Sequence, residues 1–138
     1  MTVTMPARDL DRLAGSGLSP ADLENVDVDL EGRLVTDRLG EEVGTVDDLL
    51  VSRQLLRAPF LILQWGGLLG IGRQQRLVPL DVVTVHEDRV TVDRDRDLIR
   101  SGPAYAGDLE GEEAETHYLE VYEHFGVDPY WRTAPVSA

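Results

Sequence analysis

Residues 40–51, Gly40-Glu41-Glu42-Val43-Gly44-Thr45-Val46-Asp47-Asp48-Leu49-Leu50-Val51, decide how this chain is read. Asp37-Arg38-Leu39-Gly40 forms a turn signal, and a strand opens behind it at Val43-Gly44-Thr45-Val46. The apolar–polar parity then slips at Asp47-Asp48 and resumes in Leu49-Leu50-Val51. One extra residue in an otherwise alternating strand predicts a β-bulge there.

The same periodicity extends in both directions. Upstream, Val26, Val28 and Leu30 alternate with Asp27, Asp29 and Glu31, which predicts a strand with one acidic face. Glu31-Gly32 is a turn signal before Leu34-Val35. Downstream, Phe60-Leu61-Ile62-Leu63 is apolar at every position, as in a strand of a closed or doubly covered sheet. Val83 and Val85 face Val90 and Val92 across Glu87-Asp88, a compact hairpin. Short strands at close spacing, separated by turn residues, indicate a small barrel or sandwich.

The flanks differ from this centre. Ser19-Pro20-Ala21-Asp22 has serine at the N-cap and proline at the first helical position, so it predicts a helix start. Leu10 and Leu13 with Arg8 and Arg12 predict an amphipathic turn, and Gly15-Ser16-Gly17 a flexible joint. Toward the other end, Gly102-Pro103 breaks the strand region and Glu112 to Phe125 reads as a helix. Its apolar stripe is Ala114, Tyr118, Val121 and Phe125, with Gly126 as C-cap and Pro129 beyond. Tyr130-Trp131 form an aromatic tail expected to be buried. The expected organisation is a helical appendage over 1–25, a strand-rich domain over 26–104, and a helix with aromatic tail over 105–138.

Composition removes several functions. The 138 residues carry 13 basic and 26 acidic side chains, a net charge of -13, and every basic residue is arginine. Such a surface repels phosphate backbones, so no direct nucleic-acid partner is expected. The absence of cysteine excludes disulfides, thiolate nucleophiles and cysteine metal sites. The apolar run Phe60 to Gly72 falls short of the roughly 20 residues a membrane helix needs. With no secretion signal read at the N-terminus, a cytoplasmic protein without a membrane span is expected.

Several motifs resemble known chemistry and depart from it at the decisive position. Gly66-Gly67-Leu68-Leu69-Gly70-Ile71-Gly72 follows a strand but lacks dinucleotide spacing, and the chain has no lysine for a phosphate loop. It reads as a hairpin connection whose glycines supply positive φ. Asp93-Arg94-Asp95-Arg96-Asp97 starts like a calcium loop, yet Leu98 stands where glycine is needed and Ala104 where glutamate is. It marks instead a strand end turning into a short helix. No serine lies in a Gly-x-Ser-x-Gly elbow, and no catalytic residue is assigned. Glu113, His117, Glu120 and His124 line one helical stripe and are the candidates for a divalent metal, although one helix alone is a poor di-metal scaffold.

Taken in order, Gly40 to Val51, Phe60 to Leu63, Gly66 to Gly72, Leu77-Val78-Pro79-Leu80 and the hairpin from Val82 to Val92 resemble the PRC-barrel domain family. The family is named after the cytoplasmic domain of the photosynthetic reaction-centre H subunit. The resemblance covers roughly residues 32–104, and the ending from Tyr105 resembles extensions of some stand-alone members. It implies a mainly β fold, a small, strongly bent PRC-type barrel with a short N-terminal helical segment and a C-terminal helix.

It also implies a non-enzymatic protein-interaction or assembly module without cofactors. Its expected partners are proteins, including a second copy as a homodimer. The alternative is a small-ligand or divalent-metal-binding regulatory domain. Trp65, Leu68, Leu69 and Ile71 are candidate interaction residues, because exposed apolar groups mark contact sites, and Tyr130 and Trp131 join them as the aromatic groups that could cover that loop. Cover of that loop by the aromatic tail within one chain, and cover in a homodimer, both remain open at this point.

Overall fold

The computed structural model describes residues 10–67, 72–107 and 109–133. Seven strands form one sheet: β1 Leu10–Arg12, β2 Leu34–Thr36, β3 Glu42–Ser52, β4 Arg57–Trp65, β5 Gln74–Pro79, β6 Val83–Val85 and β7 Arg89–Val92. Three helices follow, α1 Arg96–Arg100, α2 Gly111–Phe125 and α3 Tyr130–Thr133. The strand order is β5-β4-β3-β2-β7-β6, with β1 paired to β3. The fold is mainly β and of the expected PRC type, but the sheet is open, because β5 and β6 at its ends do not pair with each other.

β3 organises the sheet. Antiparallel β4 runs along one edge, and β2 then β1 share the other. The predicted bulge is present: Val46 pairs with Leu63 and Asp48 with Ile62, leaving Asp47 as the extra residue. A bulge bends its strand and increases local twist, which lets one sheet wrap around a core. β2 also pairs in parallel with β7, joining Val35 to Val90, both fully buried.

The all-apolar reading of β4 has a direct explanation. Ala58 and Phe60 to Leu63 are each 0 % exposed, because both faces of the strand are covered. The Phe60 ring lies 5.3 Å from Tyr118 and 4.9 Å from Tyr122, both on α2. Burying such a side chain contributes about 1.5–3 kcal/mol. The stripe Ala114, Tyr118, Val121 and Phe125 is buried as its spacing predicts. Gly126 ends the helix in the left-handed region at φ 70°, where a Cβ would be unfavourable. The hairpin register Val83–Val92 and Val85–Val90 is also the one read from the sequence.

Two expectations are corrected. Residues 26–30 are not a strand: Val26 and Leu30 are buried, while Val28 points outward and is 38 % exposed. Neighbouring Asn25 pairs through its side-chain amide with both backbone groups of Ala58, at 2.8 and 2.9 Å. Tethered this way, the chain buries every fourth residue and no period-2 face forms.

The N-terminal segment differs as well. Leu10–Arg12 is a strand where an amphipathic turn was expected, the helical turn coming after it at Leu13–Gly15, and Arg8 lies outside the described residues. Serine 19 does begin a helical turn, but a single 3-10 turn at Pro20–Asp22, with the Asp22 carboxylate accepting from the Ser19 backbone N–H at 2.8 Å. The described part of the segment, from residue 10 on, is docked, not detached: Glu24 N–H donates to the Leu56 carbonyl and Leu23 is buried. Ser16, in the expected flexible joint, is buried and donates to the Leu13 carbonyl at 2.8 Å.

Candidate interaction surface

Trp65 ends β4 and pairs with Gln74, so it stands at the base of the glycine-rich connection. Gly66, Gly67 and Gly72 adopt φ of 75°, 81° and 77°, the positive values foreseen for this turn. Leu68, Leu69 and Ile71 lie outside the described residues.

The indole is half-buried and is covered by arginines. The Arg76 and Arg100 guanidinium carbons lie 5.0 and 4.9 Å from its ring centroid. At these distances each contributes a cation–π attraction of about 0.5–2 kcal/mol, depending on desolvation. Both guanidiniums are anchored. Arg100 donates through Nε and Nη2 to the Val43 carbonyl at 3.2 and 2.8 Å. Arg76 donates from Nε to the Arg100 carbonyl at 3.1 Å and from Nη1 to the Gln75 carbonyl at 2.9 Å. Burial lowers the Arg76 pKa below its ordinary value.

Beside the ring a groove of about 330 Å³ runs over Glu42, Gly44, Thr45, Gln64 and Gly66. Gly44 makes this approach of strands possible, because a Cβ there would come within 2.2 Å of the Gln64 carbonyl oxygen. The local arrangement is thus an aromatic face, two fixed cations and a glutamate at the rim, on a molecule of net charge -13.

The structure does not bring Tyr130 and Trp131 to this surface. Tyr130 is buried and lines a small cavity with Ala58 and Pro59, at the opposite end of β4. Trp131 is half-buried, edge-on to Tyr122 at 6.0 Å and to Tyr130 at 5.1 Å. The tail therefore closes the far end of the core and leaves Trp65 to the arginines.

The Glu113/His117/Glu120/His124 stripe is also split. His117 is buried between the rings of Tyr105 at 5.9 Å and Tyr118 at 6.2 Å. Burial pushes its pKa down, against an opposing pull from Glu120. Glu113 and Glu120 face outward, and the His124 Nε2 lies 2.6 Å from the Leu98 carbonyl. Among the described residues no group of three acidic, histidine or cysteine side chains converges as a metal would require.

Sequence reasoning missed Arg76 and Arg100. Arg76 had a usable signal, since pairing Trp65 with Gln74 places the residue two further along β5 diagonally beside the indole on the same face. Arg100 had none, because its place depends on how α1 packs against the sheet.

A family model described as PRC-barrel domain matches residues 25–99 of the chain. No curated protein matches it.

Proposed function

The chain belongs to the PRC-barrel domain family, and on that footing we propose that it is a non-enzymatic protein-interaction and assembly module that associates with a second copy of itself. Trp65 carries this reading. It is a large aromatic side chain held at a hairpin end by two anchored arginines, next to a connection whose sequence adds Leu68, Leu69 and Ile71. Tryptophan and arginine are the residues most enriched among those that dominate binding energy at interfaces. Glu42 in the same groove gives each copy a partner for the other's guanidiniums, as a two-fold contact requires.

Net charge opposes such pairing at long range, and screening relieves it within a Debye length of about 8–10 Å at ordinary salt. Association should therefore strengthen as salt rises from low values. Sedimentation equilibrium across a concentration series tests this, with Trp65→Ala and Leu69→Asp as variants. The expected result is a wild-type dimer that both variants shift toward monomer. A wild-type monomer throughout, or dimers indifferent to both substitutions, overturns the reading.

A further inference from the structure

Away from Trp65, a cleft of about 470 Å³ opens between β1, the end of β3, the chain at 105–107 and 109–111, and the first turns of α2. That volume falls within the range of small-ligand sites. Leu10, Leu50 and Leu109 give it an aliphatic wall, and Asp11 and Glu110 place carboxylates along it. The one cation lining it among the described residues, Arg12, is already compensated, with Nη1 2.9 Å from Asp47 and 3.9 Å from Asp48. The N-terminal end of α2, which would attract an anion, begins with Glu112 and Glu113 and is offset by them.

A second observation is independent of the acids. Tyr118 lines the cleft and is only 6 % exposed, yet its hydroxyl has no hydrogen-bond partner among the described residues. Its ionisation is pushed up to about 12 by burial and by Tyr105 and Asp11 nearby, so it stays a neutral phenol whose oxygen can accept as well as donate. Tyr105 adds a second phenol to the same wall. Acceptors, aromatic faces and an aliphatic wall, without an uncompensated positive charge among the described residues, select an organic cation with a hydrocarbon body.

We propose that this cleft binds an aliphatic di- or polyamine, its methylenes against the three leucines and its ammonium groups against Asp11, Glu110 and the two tyrosine hydroxyls. The site is separate from the Trp65 surface and stands or falls without it.

Amide-resolved NMR titration of the full chain with putrescine and then spermidine tests the proposal, at about 0.15 M salt so that diffuse attraction is screened. Saturable shifts confined to 10–12, 105–111 and 114–118 are expected. Asp11→Asn and Tyr118→Phe should each weaken binding about threefold or more, the loss of one exposed-to-partly-buried polar contact. Glu123→Gln, an equal loss of charge elsewhere on α2, should leave affinity unchanged. The same spectra show whether each variant is folded. Non-saturating shifts spread over the acidic surface, or equal weakening by Glu123→Gln, would overturn the site. Tighter binding of N-acetyl-lysine methylamide than of putrescine at the same resonances would also overturn it, assigning the ammonium to a protein side chain.

Discussion

The Nη1 of Arg12 lies 2.9 Å from the Oδ2 of Asp47, the residue that the bulge in β3 leaves without a partner of its own. Gln75 Nε2 donates to the same oxygen at 2.8 Å. One extra residue in β3 thus supplies a carboxylate that holds β1 on one side and β5 on the other. Its neighbour Asp48 accepts from the backbone N–H of Ala14 at 3.3 Å and of Leu49 at 2.7 Å.

Replacing Asp47 by alanine should therefore loosen the N-terminal strand before the rest of the sheet. The two contacts are partly solvent-exposed, so a loss of about 1–2 kcal/mol is expected. Denaturant midpoints measure the total, and hydrogen exchange at Leu10–Arg12 locates it. An unchanged midpoint with unchanged exchange would show that backbone pairing alone holds β1.

The bulge was legible because parity is a local property: two adjacent aspartates in an alternating strand leave few other arrangements. The α2 stripe and the Val83–Val92 hairpin were legible for the same reason. Residues 26–30 misled because the side chain of Asn25, reaching Ala58 across the fold, sets the conformation there. The N-terminal strand was hidden because Leu10–Arg12 is extended only through its pairing with β3. The surface around Trp65 was half legible: the indole and glycines follow from local pattern, whereas Arg100 arrives through tertiary packing of α1.

Gly44 offers a steric test of the β3–β4 contact. Alanine there must displace the Gln64 carbonyl, which belongs to the adjoining strand and has little freedom to retreat. Overpacking of this kind costs about 1–3 kcal/mol or more. Gly15→Ala is the control, because nothing among the described residues lies within 4 Å of the added carbon. Thermal unfolding should show a large drop for the first and almost none for the second. Equal melting temperatures would mean that the strands can part freely at this point.

Asp37 predicts a loss of stability in acid. Burial alone would raise its pKa, but backbone N–H groups of Glu41, Arg96 and Leu39, at 2.8, 3.0 and 2.9 Å, together with the Arg96 charge, outweigh burial and hold it below the ordinary value. A depressed folded pKa gives stability that is present above the unfolded value of about 3.9 and is lost as pH falls through the folded one. The Asp37→Asn variant should be the weaker protein at neutral pH, and the difference should shrink at the acid extreme. A constant gap at every pH would remove the charge from the account.

His117 predicts a loss at milder acidity, through the opposite kind of group. Its Nε2 is buried without a hydrogen-bond partner among the described residues, and Tyr105 and Tyr118 offer the ring only aromatic neighbours. Burial lowers its pKa, while Glu120 pulls weakly the other way. The unfolded chain thus takes up a proton near pH 6.5 that the folded chain refuses. Stability is complete above that value and declines as pH falls from it through the lower folded pKa. His117→Phe keeps the packing and removes the titration, so its stability should be flat across this window while the wild type declines. The Asp37 window lies lower, so the two effects separate along one pH series. Parallel curves for wild type and His117→Phe between pH 7 and 5 would place the imidazole in water.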